Sequence, residues 1–155
     1  MSIVTPKQIS GFPEWLPQEK IMEEEFLRVI RRNFELFGFG PIETSAVERV
    51  EVLTAKGGAD KEIYGITRLF AEEADPPKEL ALHFDLTVPL ARYIAQNYSK
   101  LTFPFRRYQI QKVWRGERSQ AGRYREFYQC DIDIVGDGQL ELLADAEVLS
   151  VVCRI

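Results

Sequence analysis

Large apolar residues first recur four apart in Met22, Phe26, Ile30 and Phe34, with Phe37 closing the row. That is the spacing of one helix face. Pro17 suits the first turn of such a helix and Gly38 its exit. The segment ahead of it holds Pro6, Gly11 and Pro13 and reads as an irregular lead-in. Pro41-Ile42-Glu43-Thr44 reads as a short strand, and Val47 to Thr54 as a second, smaller helix. Lys56-Gly57-Gly58-Ala59-Asp60 lacks the Gly-Lys-Ser/Thr ending of a P-loop and reads as a turn. Ile63 to Phe70 and Leu80 to Phe84 are predicted strands, joined by the polar turn Asp75-Pro76-Pro77-Lys78. Thr87 to Tyr98 has helical spacing through Leu90, Ala91, Ile94 and Ala95, with Pro89 tolerated in the first turn. From Leu140 onward a helix is expected to carry Leu142, Leu143, Ala146, Leu149 and Val152 on one side. It reaches Ile155 without a cap or a polar ending, which reads as a fragment.

Two β-rich runs, Phe105 to Glu117 and Tyr124 to Val135, flank the charged, glycine-containing segment Arg118 to Arg123 and predict a long antiparallel hairpin. Side chains alternate between the faces of a strand. Tyr128, Cys130, Ile132 and Ile134 therefore share one apolar face, while Arg125, Phe127, Gln129, Asp131 and Asp133 share the other. On the first run Tyr108, Ile110 and Trp114 lie on one side, with Arg115 and Glu117 opposite. The expected fold is α+β, an antiparallel sheet centred on this hairpin and flanked by helices.

Composition adds limits. A chain of 155 residues, 45% hydrophobic and 28% charged, has the size and make-up of one globular domain. The net charge of −4 argues against a general nucleic-acid coat. Yet Arg106, Arg107, Lys112, Arg115, Arg118, Arg123 and Arg125 fall within one short stretch against the single acid Glu117. A local anion site is compatible with an acidic whole. Cys130 and Cys153 have no CxxC partner and no nearby histidine, which argues against zinc, and reduced thiols are the default reading. There is no apolar stretch of signal-peptide or membrane-span length, so a soluble, cytoplasmic protein is expected.

The polar hairpin face is either a solvated outer surface or a site. Arginines near a hairpin tip can clamp phosphate oxygens, Phe127 can stack on a flat base, and Gln129 with Asp133 can hold a small cationic group. A nucleotide at one end and an ammonium at the other is what amino-acid activation requires. The carboxylate must attack phosphorus in line while phosphate charge is neutralised.

The residues also carry a resemblance. Val113-Trp114-Arg115-Gly116-Glu117-Arg118, followed by Gly122-Arg123-Tyr124-Arg125-Glu126-Phe127-Tyr128-Gln129-Cys130-Asp131, is similar to motif 2 of class II aminoacyl-tRNA synthetases in its histidyl form. Leu82-His83-Phe84-Asp85-Leu86-Thr87-Val88-Pro89-Leu90-Ala91-Arg92-Tyr93 resembles the amino-acid-binding segment of the histidyl-tRNA synthetase family. Gly38 to Thr44 with Glu48 resembles motif 1, a dimer-interface helix and strand, and Lys61-Glu62-Ile63-Tyr64 the strand between. By that resemblance Arg115 is catalytic and contacts the ATP α-phosphate and the histidine carboxylate. Glu117 reads the adenine amino group, Arg123 the γ-phosphate, and Phe127 stacks on adenine. Asp85, Leu86, Thr87, Gln129 and Asp133 bind L-histidine. ATP is then a substrate, magnesium is expected with no ligand assigned, tRNA(His) is bound through the full-length protein, and the assembly is a homodimer. Asp85 and Thr87 also suit a helix cap, Arg123 and Arg125 suit solvated hairpin charges, and His83, the sole histidine, reads as a half-buried strand residue.

Two positions depart from the family pattern: Ser45 and Ser119 stand where proline is usual. Motif 3, with its catalytic arginine, and the anticodon-binding domain are expected beyond Ile155. A non-catalytic, synthetase-like regulatory subunit of ATP phosphoribosyltransferase is the alternative, though it tends to lose the ATP contacts kept here in Arg115, Glu117, Arg123 and Phe127. A free-standing dimerisation or RNA-binding module is a third reading, disfavoured by the acidic balance.

Overall fold

The computed structural model describes residues 4–55, 57, 62–69, 79–118 and 120–155. Pro17 opens helix α1, Pro17–Leu36, where its missing N–H costs nothing. The Glu19 carboxylate accepts the Leu16 N–H at 2.9 Å, half of a capping box. At the far end Gly38 takes φ 75°. The N–H of Phe39 returns to the Phe34 carbonyl at 3.2 Å and that of Gly38 to Glu35 at 3.0 Å, the closure that a left-handed residue permits.

Only part of the expected apolar row on α1 faces inward. Phe34 and Leu27 are buried, but Met22 and Phe26 remain 62% and 65% exposed. A row of fourth neighbours drifts by about 40° per step around a helix of 3.6 residues per turn, so its start winds away from the core.

The strands that follow build two ladders. Strand β1, Gly40–Pro41, runs parallel to β5, Phe105–Trp114, and β5 pairs antiparallel with β6, Glu126–Val135. Strand β2, Val47–Arg49, and β3, Gly65–Ile66, flank β4, Leu80–Leu82, both antiparallel. Helices α2 (Val50–Leu53), α3 (Thr87–Asn97) and α4 (Leu143–Val152) complete the α+β arrangement. The expected single antiparallel sheet is thus divided into two, with one parallel pair. The two meet where the Trp114 N–H donates to the His83 carbonyl at 3.2 Å and the Gly116 N–H to Glu62 at 2.7 Å.

Several local expectations are corrected. Val47 to Thr54 does not form one helix: its first three residues pair with β4 and only the next four coil. Here the acid points inward. Glu48 is buried against Arg92, Nε to Oε2 at 2.5 Å, so no apolar alternation announces the strand. The short strand expected through Thr44 ends at Pro41, although the Ile42 N–H still donates to Tyr108 at 3.0 Å. Of the predicted strand to Phe70, only Gly65 and Ile66 pair among the described residues. Phe70, the turn at 75–78, Lys56 and residues 58–60 lie outside the described set. On α4 the apolar side faces outward. Val151 is buried, whereas Leu142, Leu143, Leu149 and Val152 are exposed.

The core beneath the hairpin gathers Phe34, Phe39, Tyr108 and Val151, with Ile110, Cys130, Ile132 and Ile134 packed around them. The parity reading of the apolar face therefore holds. Arg106 ties three elements together, its guanidinium donating to both Glu147 oxygens at 3.0 and 2.5 Å and to the Phe37 carbonyl at 2.8 Å. Both cysteines are free, and burial pushes the Cys130 thiol up to about 11. Among the described residues no helix is long and apolar enough to cross a membrane.

His83 is not half-buried but wholly enclosed. Its Nε2 lies 2.7 Å from the Lys112 carbonyl and its Nδ1 3.1 Å from that of Ser45, and its ring lies 5.5 Å from that of Trp114. It pins the end of β4 to β5 and to the chain entering β2. His83→Phe keeps a ring of similar area and removes the donor. Unfolding free energy should fall by on the order of 1–3 kcal/mol in urea titration; an unchanged midpoint would show the pin to be dispensable.

Candidate active site

The hairpin register decides which side chains share a face. It runs one to one from Phe105 opposite Val135 to Trp114 opposite Glu126, with no bulge. Arg107, Gln109, Gln111 and Val113 of β5 therefore stand with Phe127, Gln129, Asp131 and Asp133 of β6 on one face, as the alternation predicts. At the tip, Gln120 and Arg123 exchange backbone hydrogen bonds of 3.2 and 3.0 Å around Gly122, whose φ of 75° a side chain would resist. Ser119 lies outside the described residues.

One end of this face is cationic. Arg115 directs Nε to the Phe84 carbonyl at 3.0 Å and Nη2 to Gln129 Oε1 at 3.4 Å, and its guanidinium sits 5.1 Å from the Phe127 ring centre. Arg123 is ion-paired with Glu117. That arginine holds the Glu117 carboxyl below the usual carboxylate range. Arg125 is not a solvated charge. Its Nε donates to the Glu117 carbonyl at 2.9 Å, while its own N–H donates to Gly11 at 2.7 Å.

The other end is anionic. Gln129 donates from Nε2 to Asp131 at 2.8 Å, so its amide links Arg115 on one side to a carboxylate on the other. Asp133 lies two residues further on, beside Arg107. Two carboxylates thus face one arginine. Asp85 lies at the start of α3, next to the Phe84 whose carbonyl Arg115 holds, and one of its oxygens accepts the Val88 N–H at 3.2 Å, so the cap reading holds. Thr87 is exposed at the first turn, whereas Leu86 is fully buried, so the expected histidine contact at Leu86 has no exposed surface in this structure. Beneath the face, Gln109 Nε2 donates to Thr44 Oγ1 at 2.9 Å and to Gln111 Oε1 at 2.7 Å, and Gln111 donates to the Thr44 carbonyl at 2.9 Å. The motif 1 segment is therefore the floor of the motif 2 face. Ser45, the first departure, supplies a hydroxyl that accepts the Val47 N–H at 3.2 Å.

A family model described as Histidyl-tRNA synthetase matches residues 11–155. The chain belongs to the histidyl-tRNA synthetase family. It is 56% identical to the histidine--tRNA ligase of Micrococcus luteus, over 94% of this chain and 34% of that protein. With the enzyme of the same name from Thermobifida fusca the identity is 52%, over 99% of this chain and 35% of that protein. The crystal structure of histidyl-tRNA synthetase from Nostoc sp. PCC 7120 superposes with a TM-score of 0.82 at 50% identity, covering 96% of this chain and 33% of that one. A Bacillus halodurans structure described as an ATP phosphoribosyltransferase regulatory subunit/histidyl-tRNA synthetase reaches a TM-score of 0.80 at 22% identity, which shows the shared fold. The chain spans about a third of the length of the curated relatives it matches.

Within this histidyl-tRNA synthetase segment the sequence reading missed two supports. Arg107 and Arg125 were visible only as members of a basic run, because nothing local tells a buried arginine from a solvated one. Gly116 is the other close fit. A Cβ there would lie 3.1 Å from the Glu62 carbonyl oxygen, between the two motif residues Arg115 and Glu117. Gly116→Val should lower stability by about 1–3 kcal/mol through overpacking, read from urea unfolding; a wild-type midpoint would mean that the Glu62 strand yields freely.

Proposed function

We propose that the full protein activates L-histidine with ATP to histidyl-adenylate and transfers it to tRNA(His), with residues 1–155 supplying part of its catalytic domain. The observation that carries this reading is the polarity of the hairpin face, with Arg115 and Arg123 at one end and Asp131 and Asp133 at the other. Triphosphate and carboxylate suit the first end, ammonium and imidazole N–H the second.

Arg115 is the catalytic residue. It holds the histidine carboxylate against the α-phosphorus and stabilises the charge that develops as the carboxylate oxygen attacks and pyrophosphate leaves. Phe127 stacks on adenine across the ring face away from Arg115, and Glu117 accepts from the adenine amino group. Arg123 takes the γ-phosphate. Since Glu117 and Arg123 hold each other when no ligand is bound, ATP exchanges their ion pair for two ligand contacts. On the amino-acid side, Gln129, Asp85 and Thr87 surround the ammonium, and Asp133 faces the imidazole. The unbroken register supports this division, since Gln129 and Asp133 stand roughly 13 Å apart along the strand, too far for one ammonium to bridge. Magnesium is an expectation of the ATP chemistry, with no ligand assigned among these residues. It enters bound to the ATP phosphates, as magnesium usually does.

The exposed Met22 and Phe26 of α1, joined by Ile21, supply an apolar strip for a homodimer interface that includes the chain near Pro41–Thr44. Motif 3 and the anticodon-binding domain belong to the rest of the protein, which acts in the cytoplasm. A regulatory role in ATP phosphoribosyltransferase is less well supported: the named ligases stand at 50–57% identity, while the Bacillus halodurans structure stands at 22%.

In the full-length protein, Arg115→Ala should slow histidine-dependent pyrophosphate exchange by about a hundred- to a thousand-fold with its unfolding midpoint little changed. Near-normal exchange would remove Arg115 from the chemistry, and absence of exchange in the wild type would favour the regulatory reading. Asp133→Ala should weaken histidine more than ATP in isothermal titration. An equal loss of both affinities would make Asp133 a structural residue.

A further inference from the structure

Arg107 has no part in the roles above, yet among the described residues it is the most deeply buried charge. It stands directly opposite Asp133 in the hairpin register, with Nη2 2.5 Å from Asp133 Oδ2. The two side chains differ sharply in setting, Arg107 being 1% exposed and Asp133 38%. An arginine without water needs a counter-ion, because an unpaired buried charge costs several kcal/mol. Its remaining partners are few. Nη1 reaches Gln109 Oε1 at 3.4 Å, while Nε and Nη2 find no aligned hydrogen-bond acceptor among the described residues. The contact with Asp133 is therefore a close but off-line ion pair. It holds one carboxylate oxygen, and Asp133, at 38% exposure, keeps part of its side chain open to the face.

Gln109 is held by Thr44 and Gln111, and that amide lattice fixes the floor on which Arg107 lies. The charged groups around Asp133 are Arg107 and Asp131 from the sheet, with Asp145 of α4 lining the groove beside it. Burial pushes the Asp133 carboxyl above its ordinary value; Arg107 pulls it back, and Asp131 pushes it up again. Arg107 is the one cation in that balance.

We propose that Arg107 is a positioning residue for the amino-acid subsite, acting from the neighbouring strand on the same face of the sheet to hold the Asp133 carboxylate ionised and turned towards the ligand. The proposal rests on the reading of Asp133 as a histidine contact. An ionised carboxylate at that point accepts an N–H donor from the ligand. A protonated one competes as a donor itself, and the preference for a ring N–H is lost.

The test is steady-state pyrophosphate exchange on the full-length protein, with KM for histidine and for ATP measured across pH. Arg107→Met, which keeps length and loses charge, should raise the histidine KM on the order of ten-fold, as loss of an orienting neighbour does at metal sites, and leave the ATP KM nearly unchanged. The variant-to-wild-type ratio of histidine KM should grow as pH falls towards the range in which a carboxyl pushed above its ordinary value takes up its proton. Taking the ratio cancels the titration of the substrate's own imidazole. Arg107→Lys should restore the wild-type pH profile. A purely structural role would instead move both KM values and kcat together, without the pH trend or the rescue, and would overturn the proposal.

Asp133→Asn separates the two layers. If it leaves the histidine KM unchanged, the reading of Asp133 fails; if it raises that KM while Arg107→Met does not, only the Arg107 proposal fails. Should Arg107→Met not fold, the pair Arg107→Met with Asp133→Asn leaves no unpaired buried charge. Its histidine KM should match that of Asp133→Asn alone, and a further large rise would overturn the proposal.

Discussion

Ten consecutive cross-strand pairs between β5 and β6 are the constraint on which the rest of this structure depends. An uninterrupted antiparallel ladder leaves no freedom in which side chain meets which, and a slip of one residue would exchange the two faces entirely. The apolar set is pressed against α1 and α4 by Tyr108, Ile110, Cys130, Ile132 and Ile134. The opposite set is thereby obliged to look the other way, towards the segment that carries Asp85 and the floor provided by Thr44. Core and candidate site are two sides of one register.

The polar side is expensive to build. Arg107 and Gln109 are fully buried, and a buried amide or guanidinium without partners would destabilise the domain by more than a single apolar contact returns. The structure offsets that cost by chaining them together: Gln109 to Thr44, Gln111 to the Thr44 carbonyl, Arg107 to Asp133. His83 solves the same problem at the junction of the two sheets, meeting the carbonyls of Ser45 and Lys112. Polar groups here specify one arrangement of strands where apolar ones would tolerate several.

How much was legible in the sequence follows from the range of the interactions concerned. The hairpin was readable because its period of two is written into each strand, and α1 because Pro17 and Gly38 mark its ends. The first turn of α3 was readable in the same way, with Asp85 in the capping role open to it. Strand β2 was not, because its pairing with β4 is made across a long stretch of chain and its inward residue is Glu48, not a valine. The faces of α4 were inverted for a similar reason. Leucines signal that burial is wanted, while which surface meets the sheet is decided by the inward Val151. The motif residues were legible by resemblance, but Arg107 and Arg125 were not distinguishable from solvated neighbours, since their settings depend on Asp133 and Gly11, which are brought in from elsewhere in the chain.

A straight strand is also a ruler. Along β6, same-face positions recur about every 7 Å, and the absence of a bulge means that this graduation is undistorted from Phe127 to Asp133. The reach between an acceptor near Arg115 and the acid at the far end is therefore not adjustable by small shifts of backbone. It changes only in jumps of two residues, or through the length of the acid itself, by one methylene between aspartate and glutamate. A face graduated in this way fixes the spacing of its polar groups, and drift in sequence can retune it only in discrete steps.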